Sequence, residues 1–373
     1  MLPASPDTFG NLKDVFPAVL ASLAGQANVF DLKDVRHAVV VMIDGLGFYN
    51  LHDNKSHAPF LSRVLGRTPE LFSGFPSSTV ASITSLASGV APAEHGLFGY
   101  RIFDRLLERD CNLLTGMDRF SILDYLRVEP LSSSHSITAI TRPEYVDSGF
   151  SRATMTGPTL TATDVAERIS LARDLAAKEA GASYLYIPEL DQSAHAKGVN
   201  SPEWSDLLTE IDQLLAAMIG NLPSDVGLLV VADHGVVDVD TSRHLLLEQV
   251  LNGDDLLAVG GDPRATFIYL RDSAEATRAQ LALSNWLGER ASVLSTEELF
   301  EKGLFGAKLS EEPDLLPDLV VLAADGYACY HSDFAKPASL RMIGQHGGLS
   351  AAECALPLLR FGGYSSSDSD LVP

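Results

Sequence analysis

Four runs of consecutive apolar residues punctuate the chain. Ala38-Val39-Val40-Val41-Met42-Ile43 stops at Asp44-Gly45. Tyr184-Leu185-Tyr186-Ile187 leads into Pro188-Glu189-Leu190-Asp191, and Leu228-Leu229-Val230-Val231-Ala232 into Asp233-His234-Gly235. Leu319-Val320-Val321-Leu322 comes shortly before the loop Gly344-Gln345-His346-Gly347-Gly348. Short unbroken apolar runs bounded by turn residues are the signature of strands buried on both faces.

Helical patterns alternate with these runs. A short amphipathic helix is expected over Leu12–Leu23, and a longer one from Asp164 to Ala180, closed by Gly181. Ser201-Pro202-Glu203, with serine as cap and proline in the first turn, opens a helix to about Ile219. Pro76-Ser77-Ser78-Thr79 reads as a further helix start. Val80, Ile83 and Ala87 recur behind it at helical spacing, and Gly89 is the stop. The alternation predicts an α/β fold, a mostly parallel central sheet with helices on both faces. Ligands of such sheets bind beyond the carboxyl ends of the strands, where three of the four runs place acidic residues or a histidine.

Residues 30–244 plus 313–363 are expected to form this core. Residues 245–312 predict a small inserted α/β module, with a strand over Ala265–Leu270, a helix over Ala274–Leu287 and a strand around Ala291–Leu294. Residues 101–160 read as irregular, and 364–373 as a polar, disordered tail. No internal repeat is visible.

Charge narrows the choice of partners. Of 373 residues, 49 are Asp or Glu and 27 Lys or Arg, a formal charge of −22. Such a surface repels polyanions, so nucleic acid and anionic membranes are not expected partners. A small phosphate-bearing substrate remains compatible where bound metal ions reverse the field locally. Cys111, Cys329 and Cys354 are scattered and odd in number, which suits a reducing compartment. With neither a secretory leader nor a membrane-spanning run in view, a cytoplasmic location is the expectation.

The candidate chemistry lies at the strand ends. Asp191-x-x-x-His195 puts a carboxylate and an imidazole within reach of one ion, although a solvated pair has the same spacing. Asp233-His234 converges only if the backbone turns, which Gly235 permits. His346 between glycines has little to pack against, and an ionised Asp44 after six apolar residues needs a partner. Three carboxylates and three imidazoles together suit two borderline divalent ions such as Zn²⁺. Two such ions less three aspartates leave a charge of about +1 to receive a phosphate ester. Two ions can hold the attacking and leaving oxygens of an in-line displacement, with Thr79 as attacker and Ser77 and Ser78 as its competitors.

In these motifs the chain resembles the alkaline phosphatase superfamily, and most closely its nucleotide pyrophosphatase/phosphodiesterase branch. The shared features are the strand ending in Asp44-Gly45, Phe75-Pro76-Ser77-Ser78-Thr79, and Ser88-Gly89-x-x-Pro92-x-x-His95-Gly96. Asp191-x-x-x-His195, Asp233-His234-Gly235 and Gly344-x-His346-Gly347 follow in matching order, from residue 38 to 348. The resemblance implies one zinc ion held by Asp191, His195 and His346. It implies a second held by Asp44, Asp233 and His234, with Thr79 as nucleophile at that metal and a phosphoryl-threonine ester that is then hydrolysed. His95 belongs to the motif but not to the metal set, which points to a structural role. Related diesterases carry an asparagine three residues after the nucleophile. Here that place is Ser82, so the expected phosphate donor is Ser82, a backbone N–H after Thr79, or a group from the inserts.

The expected activity is that of a metal-dependent phosphodiesterase or nucleotide pyrophosphatase acting on a small phosphate ester, a nucleotide among the candidates. A phosphomonoesterase, phosphonate hydrolase or phosphomutase of the same superfamily, or a non-catalytic metal-binding protein, are the rivals. A dianionic monoester needs added positive charge, and Thr68 to Tyr100 holds no Lys or Arg. Arg105, Arg142, Arg152 and Arg264 are the cations that could supply it.

Overall fold

His37–Ile43 forms a strand in which all seven residues are buried, as an apolar run covered on both faces requires. It is third in a six-stranded sheet ordered Leu359–Gly362, Val226–Val231, His37–Ile43, Gly181–Ile187, Ile137–Thr141 and Thr159–Thr161. The first pair is antiparallel and the other neighbours are parallel. This computed structural model describes residues 10–116, 125–307 and 315–365. Ile43 lies opposite Ile187, and Met42 opposite Val231. Three strands therefore end level, and Asp44, the Pro188 turn and Ala232-Asp233 emerge side by side.

The helices follow their caps. Asp164 accepts from the N–H groups of Ala166 and Glu167 at the start of Val165–Lys178. Ser201 accepts from Trp204 N–H at the start of Pro202–Ile219. Thr79–Ser88 is helical and ends at Gly89, whose φ of 77° is the left-handed conformation that glycine adopts freely. The expected hydroxyl cap is missing there. Ser78 makes no capping bond, and Ser77 Oγ instead donates to Gly348 O at 2.8 Å.

Two expectations need correction. Leu319–Ala323 is not a strand of the central sheet. It lies third in an antiparallel four-stranded sheet ordered Leu256–Asp262, Ala265–Leu270, Leu319–Ala323 and Ala291–Ser295. An apolar run reports burial on two faces, and that burial does not say which sheet it joins. The stretch 101–160, whose residues 117–124 lie outside the described residues, also holds more regular structure than its composition suggests. It contributes the hairpin Arg101–Asp104 with Arg109–Asn112, and the strands Ile137–Thr141 and Thr159–Thr161 of the central sheet. Those two strands are short and threonine-rich, so no apolar run announces them.

The tail begins later than its composition implies. Tyr364 is buried, and its hydroxyl lies 3.0 Å from Ser22 Oγ. Residues 366–373, the rest of that expected tail, lie outside the described residues.

Candidate active site

The level strand ends put the acidic residues together, and backbone contacts then aim them. Asp233 Oδ1 accepts from Gly45 N–H at 3.1 Å and from His234 N–H at 3.0 Å. Asp44 Oδ2 accepts from the Tyr186 hydroxyl. Asp191 and His195 lie on the helix Glu189–Lys197, one turn apart, with His195 Nε2 3.2 Å from Asp191 Oδ2.

All three imidazoles are oriented alike. His195 Nδ1 faces Gly344 O at 2.7 Å, His346 Nδ1 faces Ser77 O at 3.1 Å, and His234 Nδ1 faces Gly235 O at 3.3 Å. A carbonyl only accepts, so each Nδ1 carries a proton and each Nε2 is the nitrogen left to face an ion. That is the usual arrangement of a metal-ligating histidine, whose other nitrogen is anchored to the backbone. The rings of His234 and His346 stack with centroids 3.7 Å apart.

Candidate ligand atoms of Asp44, Asp233 and His234 lie within 4.8 Å of one another, as do those of Asp191, His234 and His346. The first grouping is the trio that the sequence resemblance implies. The second contains His234 where the resemblance implies His195, which engages Asp191 directly. Thr79 stands at the positive end of its helix, with Oγ1 3.2 Å from His234 Nε2.

Electrostatics test whether metal ions fit. Burial, then the nearby Asp233 and Asp191, pushes the Asp44 carboxyl well above its ordinary range. Burial also raises Asp233, against the pull of His234. Asp191 is raised by burial too, but His195, His346 and His234 outweigh this and hold it below the usual carboxylate range. Burial and the charge of His234 keep His346 well below the ordinary imidazole value. Asp44 Oδ1, Asp191 Oδ1 and Asp233 Oδ2 are buried with no hydrogen-bond partner among the described residues. Three carboxylates in so small a buried volume call for cations, and nitrogen and oxygen donors suit borderline divalent ions. The residues fit two such ions.

The cluster opens into a cavity of about 910 Å³ whose walls include Ser78, Thr79, Tyr145, Phe150, Met155 and Tyr186. Ser82 is fully buried and is not among the residues lining it. The hydroxyls of Ser82 and of Ser78 are both buried with no partner among the described residues, and of the two Ser78, at the helix start, lines the wall.

Of the four arginines considered as extra phosphate contacts, only Arg152 lines the cavity. Arg105 pairs with Asp318, Arg142 with Glu144 at 2.7 Å, and the fully buried Arg264 with Glu353. His95 is fully buried, and its ring bonds to groups outside the candidate metal set. Its Nδ1 accepts from Leu97 N–H at 3.1 Å, which leaves Nε2–H facing Ser85 Oγ at 3.0 Å.

Sequence reasoning missed Asp262, Tyr145 and Gln192. Gln192 Nε2 donates to the Tyr145 hydroxyl at 2.9 Å, which ties a cavity wall to the helix that bears Asp191. Asp262 comes from the second sheet, and burial raises its carboxyl to about 7. Its only sequence signal is the turn-forming Gly260-Gly261-Asp262-Pro263, which says nothing about chemistry.

Residues 38–349 match the family of type I phosphodiesterases/nucleotide pyrophosphatases, and the chain belongs to that family. Among its relatives, an uncharacterized pyrophosphatase/phosphodiesterase of Schizosaccharomyces pombe is 24% identical over 267 residues, 64% of this chain and 52% of that protein. The chain thus spans about half the length of the curated relative it matches. Murine ectonucleotide pyrophosphatase/phosphodiesterase 5 superposes with a TM-score of 0.69 at 18% identity, over 87% of this chain and 88% of that one. An inactive threonine-to-alanine variant of the murine protein in complex with AMP gives 0.69 at 19%, with the same coverage. The human counterpart gives 0.68 at 16%, over 88% and 90%. At these identities the likeness is one of fold. Among the described residues, no helix is long and apolar enough to cross a membrane.

Proposed function

We propose that the chain is a metal-dependent phosphodiesterase or nucleotide pyrophosphatase that works through a phosphoryl ester on Thr79. The observation that carries this reading is the placement of Thr79 Oγ1 3.2 Å from His234 Nε2, at a helix N-terminus beside buried carboxylates with unpartnered oxygens. Asp191, His195 and His346 would hold one ion, and Asp44, Asp233 and His234 the other, with Thr79 beside the second. Zn²⁺ is favoured by the three imidazoles. When bound, the two ions supply positive charge for the phosphate oxygens and lower the pKa of hydroxyl groups beside them.

Thr79 Oγ1 attacks phosphorus, a new P–O bond forms, the bond to the departing oxygen breaks, and the proton lost by threonine balances the one gained by the departing alcohol. Water then attacks the phosphoryl-threonine, the Thr79 Oγ1–P bond breaks, and the threonine recovers a proton. The free N–H groups of the helix's first turn and the Ser78 hydroxyl are the phosphate donors on this side of the cavity.

A monoanionic diester suits the site better than a dianionic monoester, since three of the four arginines considered are engaged elsewhere. The AMP bound by the murine relative makes nucleotide esters the first substrates to try. The three cysteines are buried and free, in keeping with a reducing, cytoplasmic location.

The test compares bis(4-nitrophenyl) phosphate with 4-nitrophenyl phosphate, using wild type and Thr79→Ala. Higher kcat/KM on the diester, lost in the variant, is expected. A clear preference for the monoester would promote the phosphatase reading, and full activity of the variant would end the threonine mechanism.

A further inference from the structure

Asp262 is the last residue of the strand Leu256–Asp262, and a two-residue turn separates it from Ala265, its partner in the hairpin. The hairpin carries it out of the second sheet to the wall of the active-site cavity, which it lines together with His195 and His346. The residue is 6% exposed, and its Oδ2 is buried with no hydrogen-bond partner among the described residues. Tyr100 N–H binds its carboxylate. The fit against the His346 loop is close, for a Cβ on Gly347 would stand 2.5 Å from Asp262 Cβ.

Burying a carboxylate oxygen without a partner is unfavourable unless something in the working site donates to it. The position says what that is. Thr79, the attacking group, contacts His234, whereas Asp262 packs against the His346 loop and lines the cavity with His195 and His346, beside the set proposed for the other ion. In-line displacement puts the departing oxygen opposite the attacking one. The water of the second half-reaction must enter where the alcohol left, because it displaces Thr79 Oγ1 by the same geometry.

We infer that Asp262 is a further catalytic residue, whose free oxygen accepts a hydrogen bond from the incoming water and aims the water's lone pair at the phosphoryl-threonine. In that step the water oxygen bonds to phosphorus, the bond from Thr79 Oγ1 to phosphorus breaks, and the proton released by water balances the one regained by the threonine hydroxyl. This inference rests on the proposed threonine mechanism and deepens it. Thr79 and the six other candidate ligands suffice for the first half-reaction, and Asp262 serves the second.

Asp262→Asn is the discriminating variant. Its amide keeps an acceptor for Tyr100 N–H but turns the free oxygen into a donor. In stopped flow with bis(4-nitrophenyl) phosphate, it should release the first nitrophenol at the wild-type rate and then turn over at least about tenfold more slowly. Intact mass spectrometry should find the nitrophenyl-phosphoryl adduct accumulating on Thr79, with the metal content unchanged. Asp262→Ala should behave alike and regain its second phase when formate is added.

Turnover within twofold of wild type would overturn the proposal. So would equal slowing of both phases, or loss of a metal ion, which would make Asp262 a ligand. Failure of both variants to fold would assign Asp262 to holding the His346 loop and overturn it as well. If wild type itself releases no nitrophenol from this diester, the hydrolase reading falls and takes this one with it. If wild type is active and Asp262→Asn matches it, only the role of Asp262 falls.

Discussion

Arg264 and Glu353 meet in a two-point ion pair with no exposed side-chain surface on either, Nε to Oε1 at 3.1 Å and Nη2 to Oε2 at 2.7 Å. Glu353 also accepts from Gly348 N–H at 2.8 Å and from Ser350 Oγ at 2.6 Å, and its carbonyl accepts from Gly235 N–H at 2.8 Å. One residue thus ties the second sheet to the loops that bear His346 and His234. Removing one partner strands a buried charge, which typically costs about 3–5 kcal/mol. Glu353→Gln and Arg264→Met should each lose stability on that scale in denaturant unfolding, and both should loosen metal binding. A loss below about 1 kcal/mol in both would show that the pair is not what holds the loops.

Thr79→Ala should keep the fold and most of the bound metal yet lose at least about 10³-fold in activity, roughly 4 kcal/mol of barrier. Thr79→Ser should retain part of it, since the oxygen survives. Ser77 and Ser78 are the competing hydroxyls. A dead Ser78→Ala beside a Thr79→Ala within tenfold of wild type would move the nucleophile one residue.

Elemental analysis of active protein should find two divalent ions per chain, because six nitrogen and oxygen donors exceed what one tetrahedral ion uses. His346→Ala should empty chiefly the site shared with Asp191 and His195, and Asp44→Asn the other. Chelation should abolish hydrolysis and lower the melting temperature, since it leaves the three aspartates crowded and uncompensated. A melting temperature indifferent to chelator would speak against ions in this cluster.

Stability should also depend on His95. Burial drives its pKa down to about 3 from an ordinary value of 6.5, so the folded protein holds it neutral while the unfolded chain takes up a proton. The unfolded state then binds more protons at every pH between these values. Its contribution is whole above the unfolded pKa and is lost as pH falls toward the folded one, at about 1.4 kcal/mol per pH unit. Unfolding curves between about pH 6 and pH 4 should be steeper in pH for wild type than for His95→Gln. Equal slopes would mean that the imidazole is charged or solvated in the native state.

The chemistry of this protein is more legible in its sequence than its architecture. Asp44, Asp191 and Asp233 are visible because each follows a strand whose burial leaves an apolar run, and His346 because glycines isolate it. The threonine-rich strands Ile137–Thr141 and Thr159–Thr161 leave no such trace. Leu319–Ala323 leaves the right trace in the wrong sheet, since burial is a local property and pairing is not. Ser82 stands where related diesterases carry an asparagine, and it is buried outside the cavity lining with its hydroxyl unpartnered among the described residues. Asp262 was invisible because it reaches the site from a hairpin whose turn residues serve the backbone.

The carboxyl edge of the central sheet is divided between two tasks. The strands ending at Ile43, Ile187 and Val231 lead into the candidate ligands, while the strand ending at Thr141 presents that residue to the cavity, as its neighbour presents Thr159. The crossover between those outer strands supplies Tyr145, Phe150, Arg152 and Met155 to the same wall. Under the proposed function the three inner strands lead to the chemistry, and the outer pair with its crossover adds much of the surrounding wall. A library confined to residues 143–157 would search for new leaving groups while the buried charges stay as they are, and transplanting that crossover from a relative would carry its substrate preference along.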